Sequence, residues 1–287
     1  MSIGFLFAAP DPILDRGKAM MVCADMAARE ARCCGGAQGA WPTAEAVLVH
    51  LGRSLIDLGE FDRSDLLRRL LGDWAARVGR PRLTVVGGCD GAARAMVEAP
   101  AEWVAGLAPL ALLHRTDRRA AQFEVAQMAQ LFNCPSDQSE ALEVFSIFLR
   151  RALSGESRDT VLQPLAWAGD ARVATVCDGQ SLPIDDPRDL VAAVDQARTL
   201  ALADIALPIA FEALSRVRAS RPAFILTAML IAAFDGSLRR SDVGAQAQST
   251  VRASSPTALL ELIARQLLER QNQRHRLFTS RQSSEPA

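Results

Sequence analysis

The chain has 287 residues, 49% hydrophobic and 23% charged, enough for one large domain or two small ones with a sizeable core. Its formal net charge of −1 gives no global basic field to recruit nucleic acid or an acidic membrane surface. Tyr is absent, Arg greatly outnumbers Lys, and the abundance of Ala and Leu favours helix over sheet.

Ile3 to Ala9 is apolar, but it is too short for a signal core, lacks a basic start and runs into Pro10 and Pro12. No apolar run reaches the length of a membrane span, the most apolar being Ala223 to Phe234. The expectation is a cytoplasmic protein whose six cysteines are reduced and mostly buried. Of these, Cys33 and Cys34 are adjacent, which is not the spacing of a zinc site.

Ile13 to Arg32 reads as a helix through Met20, Ala24, Ala27 and Ala28, stopped by Cys33-Cys34-Gly35-Gly36. Trp41 to Asp57 reads as a second, half-buried helix. Val47, Leu48, Leu51, Leu55 and Leu58 recur at helical spacing, Thr43 is placed to cap it, and Glu45 sits in the first turn where the helix dipole favours an acid. Asp62 caps a third helix, with Leu66, Leu67, Leu70, Leu71, Trp74 and Val78 as its stripe. Gly79 to Gly91 is a loop. Its Gly87-Gly88-Cys89-Asp90-Gly91 run lacks the Lys-Ser/Thr ending of a phosphate-binding loop.

Trp103 to Leu113 is the next apolar helix, and His114 at its end suits the C-terminal cap. Asp117 to Phe132 follows, broken by Asn133-Cys134-Pro135-Ser136. The next helix, lined by Leu142, Phe145, Phe148, Leu149 and Leu153, closes at Gly155. Ser157 to Pro187 reads as one short helix and a long surface loop. Asp186-Pro187 then opens a long helix that Pro208 kinks or splits. Pro222 begins a buried helix ending at Gly236, and Ser255-Pro256 opens the last one. The reading is a single all-α, multi-helix domain over residues 1–272, with 273–287 a disordered polar tail.

Four of these stretches resemble, in order, the ADP-ribosylglycohydrolase family. They are Trp41–Asp57, Phe61–Trp74 (FDRSDLLRRLLGDW), Ala108–Leu112 and Ala223–Gly236. The family's first landmark is an aromatic residue, then Thr-Asp-Asp-Thr, then an apolar helix ending Ser-Leu-Leu. This chain offers Trp41 and Ser54-Leu55-Ile56, but the two aspartates fall on Thr43 and Ala44 and the second threonine on Glu45. The second landmark, Gly-Gly-Asp-x-Asp-Thr before a helix of small and apolar residues, places its aspartates and threonine on Ala219, Arg221 and Pro222. An early family aspartate has its counterpart in Asp11.

The resemblance implies a site that, in active relatives, holds a pair of magnesium ions on carboxylates and cleaves ADP-ribose from arginine. Magnesium needs hard oxygen ligands in octahedral array. With the four principal acids replaced, the expectation is no metal, no cofactor and no catalytic residue. Arg221 then fills the vacated space and pairs with Glu45. The leading reading is a catalytically inactive relative that binds a protein, such as an ADP-ribosylated protein or an ADP-ribosylating toxin, or binds ADP-ribose itself. One alternative is a working hydrolase using magnesium on rebuilt ligands, with Asp11, Glu45 and Asp235 as its carboxylates. The other is a structural subunit of a protein complex.

Overall fold

The computed structural model describes residues 11–33, 42–78, 101–183, 189–236 and 255–282. Every regular element among them is helical. In chain order these are α1 (Pro12–Cys33), α2 (Ala44–Leu58), α3 (Arg63–Val78), a 3-10 helix (Glu102–Gly106), α4 (Leu107–Leu113), α5 (Arg118–Leu131) and α6 (Ser136–Leu153). They continue with α7 (Arg158–Val161), α8 (Ala171–Cys177), α9 (Leu190–Leu202), α10 (Leu207–Arg216), α11 (Arg221–Asp235) and α12 (Ser255–Gln282).

The middle of the fold is α11. Its residues from Pro222 to Ala233 are all buried, because α1, α6, α9, α10 and the 3-10 helix surround it. A helix apolar on every side is stable only in such a place. Each of Phe224, Leu226, Met229 and Leu230 contributes roughly 1.5–3 kcal/mol by leaving water. The most extensive packing is between α11 and α1, where Ala24, Ala27 and Ala28 are fully buried and their small side chains let the helix backbones approach. The two run antiparallel. Arg16, near the start of α1, packs on Gly236 at the end of α11, and Arg32 at the far end of α1 shares a carboxylate with Arg221 at the start of α11.

Helix ends follow local chemistry. α2 stops at Gly59, whose φ of 86° is a left-handed conformation open to glycine at little cost. α12 packs on α1, α2 and α4, and its approach to α2 depends on Gly52: a Cβ there would lie 2.5 Å from Ile263 Cγ2. Cys23 is buried in α1, and burial first, then the charge of Asp235, push its thiol up to about 12. Burial likewise pushes Cys134 up to about 12 and Cys177 to about 11, with Asp137 and Asp178 adding to the effect.

Several sequence expectations are corrected. The apolar run from Trp103 is a 3-10 turn followed by α4, not one helix. The irregular region after Ser157 holds two short helices, α7 and α8. Asp186 and Pro187 lie outside the described residues, and α9 is capped by Asp189, which accepts the Val191 N–H at 3.0 Å. Pro208 sits in the first turn of α10, so the chain there is split rather than kinked. The last helix continues past residue 272 to Gln282, so the stretch expected to start the disordered tail is helical. Trp41, Cys34, Cys89 and the Gly87–Gly91 loop lie outside the described residues. No helix among the described residues is long and apolar enough to cross a membrane.

Candidate functional site

Two helices begin at one point in the interior. α2 starts at Thr43, whose hydroxyl accepts the Ala46 N–H at 3.2 Å. α11 starts at Ser220, whose hydroxyl accepts the Ala223 N–H at 3.4 Å, with Pro222 in the first turn. Glu102, the first residue of the 3-10 helix, joins them. Its Oε2 accepts the Ala44 N–H at 3.1 Å, and its Oε1 accepts from Arg221 Nη1 at 3.0 Å. Arg32 Nε stands 3.5 Å from the same Oε1 and also donates to the Ala28 carbonyl at 3.1 Å. Glu102 is 0% exposed and the Arg221 side chain 11%.

A second buried carboxylate lies about two turns before Arg32 on α1. Asp25 of α1 is buried, and Arg29, one turn along, reaches its Oδ2 at 2.8 Å. The other oxygen, Oδ1, is buried without a hydrogen-bond partner among the described residues. The same Arg29 nitrogen meets Glu45 Oε2 at 3.2 Å. Three acids, Asp25, Glu45 and Glu102, therefore interleave with three guanidiniums, Arg29, Arg32 and Arg221. Burial raises the Glu102 carboxyl above its usual value, while Arg32, the Ala44 N–H and Arg221 pull it back. Burial likewise raises Asp25, chiefly opposed by Arg29.

The structure thus brings the two sequence landmarks together at their helix N-termini, through a residue that belongs to neither. Thr43 is half-buried, and Ala44 and Pro222 are buried. Ala219, half-buried, donates its N–H to the Leu214 carbonyl at 2.9 Å. The expected partnership of Arg221 with Glu45 is corrected. Arg221 pairs with Glu102, which is nearer the interior, and Glu45 turns to Arg29 on α1. Asp11 is exposed and caps α1 by accepting the Ile13 N–H at 3.0 Å. It lies about 21 Å along the helix axis from Asp25, at 1.5 Å per residue. Asp235 ends α11, pairs with Arg158, and is separated from Arg221 by a similar length of helix. Asp11, Glu45 and Asp235 therefore do not converge, and they do not form the rebuilt ligand set of the hydrolase alternative. Among the described residues no group of three or more His, Cys, Asp or Glu side chains is placed to share a metal ion.

His114 does end α4, but it is buried. Its Nε2 lies 2.7 Å from Glu124 Oε2, and its carbonyl accepts from Arg150 Nε at 2.7 Å. The residues that sequence reasoning missed are Glu102, Asp25, Arg29 and Arg32. Two signals pointed to them: an acid set directly before Trp103 in an apolar run, and an Asp25–Arg29 pair at i, i+4 on an alanine-lined face.

No protein-family model and no curated protein sequence matches the chain. Among solved structures, one described as an "ADP-ribosylglycohydrolase-related protein complex" superposes with a TM-score of 0.67 at 18% identity, covering 90% of this chain and 99% of that one. The fold is that of an ADP-ribosylglycohydrolase-related protein. The likeness runs through almost the whole of both chains. At this identity it speaks for the architecture, and the chemistry is argued from the side chains in place.

Proposed function

We propose that the chain is a catalytically inactive protein of the ADP-ribosylglycohydrolase fold that works by binding a protein partner, one that is ADP-ribosylated or that transfers ADP-ribose. One observation carries this reading. At the meeting of the α2 and α11 N-termini, where the resemblance puts the metal pair, the Glu102 carboxylate is already held by Arg221, Arg32 and a backbone N–H. A guanidinium is charged at any ordinary pH. Placed at contact distance from a dication it would repel it by several kcal/mol, at an effective dielectric of about 20. Ala44 and Ala219 supply no oxygen ligand from their side chains, and Asp25 is tied to Arg29. This donor set does not fit a magnesium pair.

The "complex" in the description of the similar solved structure supports a role in an assembly. It equally favours the second reading, in which the fold is a structural subunit with no nucleotide affinity. Calorimetry of the full chain with magnesium and with ADP-ribose, beside an assay for ADP-ribose release from ADP-ribosylated arginine, separates the readings. Binding of ADP-ribose without turnover supports a ligand-reading protein. A stable stoichiometric complex without nucleotide affinity supports the subunit reading. Magnesium-dependent release of ADP-ribose would refute both.

A further inference from the structure

Away from the Glu102 cluster, the start of α5 and the second half of α12 are joined through one buried side chain. Gln271 of α12 is buried and touches the α4–α5 connection twice: its Nε2 donates to Thr116 Oγ1 at 3.2 Å, and its Oε1 lies 3.5 Å from Arg115 Nη2. That docking brings Arg115 and Thr116, which lead into the Arg118–Arg119 start of α5, beside α12. One turn past Gln271, on the same side of the helix, is the exposed Arg274. Arg118 and Arg119 are exposed as well.

These guanidiniums lack the acids that accompany nine other arginines. Arg29, Arg32, Arg68, Arg69, Arg151, Arg158, Arg172, Arg216 and Arg221 all reach a carboxylate within ion-pair distance. Arg118 instead hydrogen-bonds the neutral Gln122 at 3.2 Å, and Arg115 has the neutral Gln271. Arg119 and Arg274 make no ion pair with any described residue. Asp117, within the tract, is engaged in capping α5 through the Ala120 N–H at 3.0 Å. On a chain of net charge −1 this is a local excess of positive charge.

At its edge stands Phe123, 65% exposed, more than any other large hydrophobic side chain among the described residues. It lies one turn after Arg119 on the same face of α5, where the outward stripe continues through Ala126 and Gln130 without an acid. An aromatic ring flanked by arginines is the composition of the energetic centre of a protein interface. A platform for single-stranded nucleic acid would instead need several rings for successive bases, and Phe123 is the sole exposed Phe or Trp of this surface among the described residues.

We infer that the α5–α12 surface is a docking site for an acidic segment of a partner protein, with Phe123 seated in its apolar contact and Arg115, Arg118, Arg119 and Arg274 facing its carboxylates. The site shares no residue with the Glu102 cluster. Fluorescence anisotropy with the full chain tests it, using a labelled peptide of Glu and Leu as one probe and a labelled single-stranded RNA homopolymer as the other. The peptide should bind, with affinity falling as salt is raised. R119E and F123S should each weaken it about tenfold. Both side chains are exposed, and circular dichroism checks that the variants fold. Absence of peptide binding, tighter binding of the RNA, or affinity unchanged in both variants would each overturn the inference.

Discussion

Replacing Arg221 by Ala removes the closest cation from a carboxylate with no exposure to solvent. In R221A, Glu102 keeps the Ala44 N–H and Arg32, whose Nε stands 3.5 Å away. Breaking one side of a buried ion pair costs about 3–5 kcal/mol, and the remaining contacts put this site at the low end, about 3 kcal/mol. E102Q combined with R221A should recover much of that loss, because Gln can still accept from Ala44 without leaving a buried charge. The double-mutant cycle should give a coupling of about 2 kcal/mol. The loss should also depend on pH. Burial already raises the folded-state value of Glu102, and without Arg221 it rises further. A raised carboxyl contributes stability that is present below its unfolded value and lost as pH climbs through the folded one. The R221A deficit must therefore shrink on acidification. Urea unfolding followed by circular dichroism reads it. A neutral-pH loss under about 0.5 kcal/mol, the level of an ordinary surface substitution, or a deficit that grows in acid, would refute the reasoning.

G52A should destabilise the fold by about 1–3 kcal/mol in urea unfolding, since its methyl group would meet the buried Ile263. In an I263A background, which lacks the colliding Cγ2 methyl, G52A should cost less. G169A should loosen the loop after α7, because a Cβ there would collide with Glu140 Oε2, which accepts from Trp167 Nε1 at 3.1 Å and from the Asp170 N–H at 2.7 Å. A red shift of tryptophan emission without loss of helix content is the expected signature. D65N tests the opposite sign of linkage. Burial pushes the Asp65 carboxyl up, but the Ser54 hydroxyl and the Arg69 and Arg68 guanidiniums overcome it and hold it down at about 2. Its stabilisation is present above the ordinary carboxylate value and lost as pH falls through about 2, so the gap between D65N and the parent, about 1 kcal/mol after solvent screening, should close in acid.

Local patterns carried most of the architecture. The Thr43 cap, the 3.6-residue stripe of α2, the proline-led start of α11 and the glycine at its end depend on neighbours a few residues away, and the structure has them where periodicity and capping chemistry put them. The site was less legible for the same reason in reverse. Glu102 lies 58 residues from Ala44 and 119 from Arg221, and nothing in the spacing of Ala101, Glu102 and Trp103 announces what a carboxylate there will meet. Assigning Arg221 to Glu45 followed the two landmarks and overlooked a third element wedged between them. Asp25 was hidden by its surroundings, since α1 reads as an alanine-faced helix and the pairing of its acid with Arg29 looks like ordinary surface decoration until the fold buries it.

The thiol sealed between α1 and its neighbours offers a clock. With its proton held up to about 12, Cys23 has almost no thiolate at neutral pH, and with 3% exposure an alkylating reagent has no path to it in the native state. Modification must wait until α1 parts from the helices packed on it. Following that one cysteine by mass spectrometry would time the opening of α1, which carries Asp25, Arg29 and Arg32 of the cluster.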